Sequence, residues 1–189
     1  MVITGTSGAG KGTLEKPLMR QLPQLELSVS ATTRARREGE QDGVHYHFIS
    51  ADEFERLVQE DAFLEHVTHP WGQRVGTLLS EIDRIHAKGN VPLLDMEPRG
   101  SLVVKERVPG AVTIFVKAPS FEELERRLRG RATESEGEIE ERLAEARHQL
   151  ELADEFDHVI VNDDLDRAGA ELLAIVQQAL NGAATVSAT

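Results

Sequence analysis

The chain of 189 residues contains no cysteine, which excludes disulfides, thiolate metal sites and thiol nucleophiles at one stroke. It also lacks any apolar run long enough for a signal peptide or a membrane span. A soluble, cytoplasmic protein is the expectation. Positive charge is scarce: 21 Lys and Arg stand against 33 Asp and Glu, a formal net charge of −12. Non-specific nucleic-acid binding leans on a broad positive surface, so neither nucleic acid nor a membrane is an expected partner. The charge favours solubility and carries no information about subunit number. There is no internal repeat and no low-complexity tract. What remains is one globular domain, long enough to bury a sizeable core and to carry insertions.

The arginines are grouped, with one island at Arg34, Arg36 and Arg37 and another at Arg126, Arg127, Arg129 and Arg131. In an acidic chain such islands are either helix-surface ion pairs or anion sites. Between them, short apolar runs alternate with helical patterns. Val2–Thr4, Leu25–Ser30, Val91–Met96, Val112–Lys117 and His158–Asn162 read as buried strands. Ser50 before Glu53, Ser120 before Glu123 and Ser135 before Glu138 are capping-box patterns that start helices. Gly130 stands where a left-handed residue would close the second of these helices, and Ile139, Leu143 and Leu150 share a face of the third. Strands separated by helices imply an α/β fold, a parallel five-stranded sheet covered on both faces. The small, polar stretch from Asn181 to Thr189 reads as a tail without fixed structure.

The stretch "GTSGAGKGT", Gly5 to Thr13, packs four glycines around one lysine between a predicted strand and a predicted helix. Gly5, Gly10 and Lys11 fit the G-x-x-x-x-G-K phosphate loop, with Gly12 next and the hydroxyl displaced to Thr13. Glycines suit such a loop because successive N–H groups must all point at phosphate oxygens, where side chains would block the approach. The following helix adds its positive end, and Lys11 supplies a point charge. The cradle then takes in Gly5, Ser7, Gly8, Ala9, Gly10, Lys11, Gly12 and Thr13.

A second site is suggested by Leu27–Phe48, which offers hydroxyls, three arginines, a carboxylate and Tyr46. Two anion sites on one sheet edge suggest phosphoryl transfer between two phosphorylated substrates. With this stretch the sequence resembles the guanylate kinases. The resemblance runs through the glycine loop, "SVSATTR…R.GE.DG..Y.F", "FLE", Gly76-Thr77, "LLD.E..G", "RLRGR.TES" and "VIVNDDLDRA". It implies an ATP:GMP phosphotransferase that uses Mg²⁺ and makes GDP, with dGMP open as a second acceptor. It further implies a phosphate-loop core (1–31, 76–124 and 147–183), a GMP-binding region (32–75) and a mobile lid (125–146), with 184–189 as the tail.

Carried over residue by residue, the resemblance places Arg34, Arg37 and Tyr46 on the GMP phosphate, with Glu40 beside them. Ser30, Glu65 and Thr77 read the guanine edge. Asp95 and Glu97 organise Mg²⁺ and the nucleotide, with Thr13 and Asp95 as metal oxygens. Arg131 and Arg142 close onto the transferring phosphate, joining Lys11 and Arg34 as catalytic cations. Asn162 lies near adenine, and Arg127 flanks it. The physics agrees: guanine's N1–H and amine are both donors to one carboxylate, and arginine's planar fork binds two phosphate oxygens.

Bland readings stand beside these. Glu65 read alone is an ordinary surface carboxylate, Arg126, Arg127 and Arg129 are glutamate partners on a helix, and Asn162–Asp166 is a strand exit and helix cap. His66 and His69 are close in sequence without the further ligands a zinc site requires. A non-catalytic binding module on the same scaffold would have an eroded ATP side, whereas Lys11, Arg131 and Arg142 are all present. A different phosphorylated acceptor is the other alternative. It draws on one departure: Val75 stands where the family usually has a tyrosine, in a segment one residue longer, with Arg74 and Trp71 as candidates to replace the lost hydroxyl. Thr6 for proline, Ala132 for a lid glycine and "DMEPRG" for D-I-D-x-Q-G are the others.

Overall fold

A computed structural model describes residues 1–69, 72–130 and 136–186, the side chains of Glu136, Glu138 and 183–186 excepted. The chain runs β1 (Val2–Gly5), α1 (Lys11–Gln21), β2 (Leu25–Leu27), β3 (Ala31–Thr32), β4 (His47–Phe48), α2 (Ala51–Gln59), β5 (Phe63–Thr68), β6 (Arg74–Leu78) and α3 (Leu79–Ala87). It continues through β7 (Val91–Asp95), α4 (Pro98–Arg107), β8 (Thr113–Lys117), α5 (Phe121–Arg129), α6 (Glu136–Glu151), a 3₁₀ turn at Ala153–Glu155, β9 (His158–Val161) and α7 (Leu165–Val186).

Five strands form a parallel sheet in the order β2-β7-β1-β8-β9. Neighbouring residues along these strands point to opposite faces, and both faces are apolar because helices cover both. Ile3, Leu93, Ile114, Val116 and Ile160 pack on one side with Leu14 and Leu18 of α1 and Leu172 and Val176 of α7. Val2, Leu94 and Val104 of α4 fill the other side, with Phe115 and Phe156 in an adjoining cluster. Each fully buried side chain of this size contributes about 1.5–3 kcal/mol of transfer free energy. A second sheet, β4-β3-β6-β5, stands over the C-terminal ends of the first, within residues 31–78. Phe54 of α2 stacks on Phe63 beneath it, with ring centroids 4.5 Å apart.

Several local expectations change. The edge strand β2 stops at Leu27, which is 38% exposed, since an edge strand has a neighbour on one side only. Ser50 and Ser120 cap α2 and α5 by accepting from the N–H of Glu53 and Glu123, at 3.0 and 3.2 Å. Ser135 lies outside the described residues. Gly130 is right-handed (φ −71°), not left-handed, because its N–H still closes onto the Arg126 carbonyl at 3.0 Å. Ile139 and Leu143 of α6 pack against Leu124 and Leu128 of α5, whereas Leu150 packs near Phe115 and Phe156. Residues 181–186, read as a tail without order, continue α7. Their alanines are strong helix formers.

Candidate active site

The end of β1 and the start of α1 enclose a cleft of about 610 Å³ lined by Thr6, Ser7, Gly8, Gly10, Lys11, Gly12, Thr13 and Asp95, among others. Among the described residues, the N–H groups of Gly8, Gly10, Lys11 and Gly12 make no hydrogen bond. They are the donors an oxyanion takes at a helix N-terminus. Lys11 Nζ donates to the Gly5 carbonyl at 3.1 Å and lies 3.8 Å from Asp95 Oδ1 at the end of β7. Gly10 is left-handed (φ 89°), and a Cβ there would meet Asn162 Nδ2 at 2.4 Å. The Asn162 amide is the loop's clamp: it is 2% exposed and donates to the Ala9 carbonyl at 2.8 Å. The sequence reading places Asn162 near adenine; in the structure its side-chain amide is engaged with the loop at Ala9. Arg127 holds Glu123 at 2.8 Å and the Asn162 carbonyl at 2.9 Å, and lines neither cleft.

A larger cavity of about 770 Å³ opens between the two sheets. Ser30, Arg34, Arg37, Glu40, Tyr46, Glu65, Asp95, Glu97 and Arg142 all line it. Glu65 on β5 is 4% exposed, and its Oε1 accepts from the Thr77 N–H on β6 at 2.9 Å. Burial raises its pKa above the usual carboxylate value, with Thr77 pulling the other way. A Cβ at position 100 would meet Glu65 Oε2 at 2.5 Å, so a side chain there would push this carboxylate from its place. Thr77 is fully buried, and its N–H orients Glu65.

Arg34 forks onto Glu40 at 2.7 and 3.0 Å, and Glu40 also accepts from the Arg37 N–H at 2.7 Å. Those bonds, Arg34's first, hold the Glu40 carboxyl down at about 2. The Arg34 guanidinium lies 5.3 Å from the Tyr46 ring centroid and 5.5 Å from that of Phe48. Two aromatic faces and one carboxylate thus set its direction. The Arg37 side chain makes no hydrogen bond among the described residues. From α6, Arg142 Nη1 donates to Ser7 Oγ at 3.0 Å, reaching the phosphate loop from the acceptor side. Arg131 lies outside the described residues. Arg126 and Arg129 pair with Glu123 and Glu125, which is the ion-pair reading of that island. Asp164 caps α7 by accepting from the Arg167 N–H at 2.9 Å.

The sequence reading missed three features. His69 and Gln73 line the acceptor cavity. Glu15, one turn after Lys11 on α1, is 4% exposed, and its Oε1 is buried without a partner. Burial and the nearby Asp95 raise its pKa to about 8, against Lys11. No short motif announces such residues. Only the i, i+4 spacing from Lys11 could have flagged Glu15. Of the two candidates for the missing tyrosine hydroxyl, Trp71 lies outside the described residues. Arg74 turns the other way, to Glu55 at 2.6 Å and over the Phe54 ring.

A parallel sheet with a phosphate loop at its switch point, beside a second cavity that carries three arginines, defines a nucleotide-dependent phosphotransferase architecture. The guanylate kinase family model matches residues 1–179. Curated guanylate kinases include one from Synechococcus sp. (strain CC9311), 48% identical over 90% of each chain. Another, from Desulfitobacterium hafniense, is 45% identical over 93% of this chain and 88% of that one. A crystal structure of guanylate kinase from Anaplasma phagocytophilum has a TM-score of 0.74 and 28% identity, covering 94% of this chain and 84% of that one. The chain belongs to the guanylate kinase family.

Proposed function

We infer that the chain catalyses transfer of the terminal phosphate of ATP to GMP, giving ADP and GDP. The observation that carries this reading is that Ser7, Lys11 and Asp95 line both cavities. A donor phosphate in the first cleft and an acceptor phosphate in the second would meet at these three residues.

The acceptor oxygen of GMP is anionic at neutral pH, so no general base is needed. The obstacle is repulsion. Two unit charges at ~4 Å cost about 1 kcal/mol in water and several-fold more in a partly dry site. Lys11, Arg34, Arg37 and Arg142 offset that charge and hold the reacting groups in line, with Arg131 proposed as a further cation. Main-chain amides of Gly8, Gly10, Lys11 and Gly12 bind the donor phosphates. Glu65, held by Thr77 and assisted by Ser30, accepts from guanine's N1–H and amine. Adenine would leave that buried carboxylate unpaired, a mismatch worth roughly 10⁴-fold in favourable sites.

The donor set fits Mg²⁺: Asp95 and Thr13 bring a carboxylate and a hydroxyl to the same cleft, hard oxygens of the kind this ion takes alongside phosphates. Held there by Asp95 and Thr13 together with ATP, Mg²⁺ would supply positive charge against the charge developing on the transferring phosphate. Residues 32–75 serve as the GMP-binding region, and 125–146 as the lid that excludes water.

The test is ADP release with ATP and Mg²⁺, offering GMP, AMP, UMP or no acceptor. Turnover with GMP alone is expected. Equal turnover with AMP, or none with any acceptor from a folded protein, would discard the reading.

A further inference from the structure

The acceptor cavity has a floor whose chemistry is set by strand register. Across β3 and β6, Ala31 faces Gly76 and Thr32 faces Val75. One step back places Ser30 beside Thr77, and two steps on, past Thr33 and Arg74, place Arg34 beside Gln73. Across β6 and β5, Thr77 faces Glu65 and Val75 faces Val67. The pairing goes on past the last strand residue, because the His69 N–H donates to the Gln73 carbonyl at 2.8 Å. Side chains two residues apart share a face. Three rows therefore cross one face of this sheet: Ser30–Thr77–Glu65, then Thr32–Val75–Val67, then Arg34–Gln73–His69. Every member except the buried Thr77 lines the cavity.

The rows differ in kind. The first is polar and ends on a buried carboxylate suited to a base edge. In the second, Val75 and Val67 are apolar and the Thr32 hydroxyl turns away to the Arg74 carbonyl at 2.9 Å. The third brings a guanidinium, a carboxamide and an imidazole to one level. It lies about 13 Å along β5 from Glu65, at about 3.3 Å per residue. His69 Nδ1 also lies 3.7 Å from Glu97 Oε2, two residues past Asp95 at the shared wall of the two cavities. Nothing in the middle row can donate to an anion.

We propose that Gln73 and His69 are acceptor-recognition residues. Their side-chain N–H groups bind the phosphate of the nucleoside monophosphate from the β5–β6 side, opposite Arg37 and Tyr46, and extend the row that Arg34 begins. The proposal rests on the acceptor reading of this cavity and names two further residues that hold the ligand's anionic end. With Val75 unable to donate, this row carries the contact that position 75 does not make.

The experiment compares GMP with guanosine, which has the same base edge and no phosphate, by calorimetry on wild type, Q73A, H69A and the double variant H69A/Q73A. Hydrogen bonds to a charged group predict a loss of GMP affinity of about 10- to 100-fold in the double variant, with guanosine affinity unchanged. GMP affinity within twofold of wild type overturns the proposal. Equal weakening of GMP and guanosine also overturns it, because that pattern reports a distorted hairpin. Thermal melts confirm folding, and Q73A alone decides the matter should the double variant be unstable. E65Q is run alongside: if it weakens both ligands, the acceptor reading survives whatever becomes of the third row. If E65Q changes neither, the acceptor reading itself has failed and the row falls with it.

Discussion

In the donor cleft the ligand-facing groups come mostly from the single stretch Gly5 to Thr13, and many are main-chain amides. In the acceptor cavity they are side chains drawn from as far apart as Ser7 and Gln149. The two regions are therefore exposed to sequence change in different ways. A backbone cradle tolerates replacement wherever its path is kept, so Thr6 sits in the loop at the cost of one buried hydroxyl without a partner. A side-chain cavity changes chemistry with each residue, as Val75 illustrates by placing a methyl surface where a donor would serve. Binding phosphate generically needs only amides and a cation. Choosing one acceptor needs a particular carboxylate held by particular neighbours.

The largest test of that contrast is Lys11→Ala. Turnover should fall by roughly 10³–10⁵-fold, the range for losing one transition-state cation, while GMP affinity by calorimetry stays within about threefold. A parallel collapse of GMP binding would mean that the two sites are not separable. Next in size is Glu65→Gln, which sets an amide against guanine's donors. It should lower kcat/KM for GMP by roughly 10²–10³-fold and leave the KM for ATP near its original value. A matching rise in the ATP KM would argue that the cavity is not selective for the acceptor.

Asn162→Ala addresses the donor side from beneath. Removing the clamp on the Ala9 carbonyl should cost about 1–3 kcal/mol of stability and raise the KM for ATP, with guanosine and GMP affinities unaffected. Unchanged ATP binding would show that the loop holds its path without the clamp.

The smallest effect concerns Glu15, a buried carboxyl beneath the backbone-built cleft. Its carboxyl, raised from 4.5 to about 8, keeps a proton in the folded chain that the unfolded chain has released across that window. The unfolded state binds fewer protons there, so stability falls as pH rises from 4.5 to about 8. Glu15→Gln carries no such proton. Its unfolding free energy, followed by thermal melts, should pull ahead of wild type as pH climbs, reaching an advantage of about 1–3 kcal/mol at the alkaline end. Parallel melting curves across the range would remove Glu15 from that role.

The donor half was legible because its geometry is local. Strand β1, the loop and α1 follow one another directly, and a glycine-rich spacing before a lysine states a backbone path without help from the rest of the chain. Buried strands announced themselves as apolar runs for the same reason, except at β2, where edge position exposed Leu27. The acceptor half was legible only as a set of residue types matched by resemblance. Strands of two residues, such as β3 and β4, have no periodicity to read. A register slip of one residue would have turned His69 and Gln73 away and brought Arg74 inward.

The sequence by itself determined the α/β class, the phosphate loop with its lysine, the caps of α2 and α5 and the family. Each of these depends on residues within a turn or two of one another, or on an ordered set of short motifs. Tertiary structure alone decided that Asn162 braces a loop 153 residues away, that Gly100 makes room for Glu65, and which polar groups share a row. Those outcomes arise from close packing between distant segments. Van der Waals exclusion and strand register act over a few ångströms of space, whatever the separation along the chain.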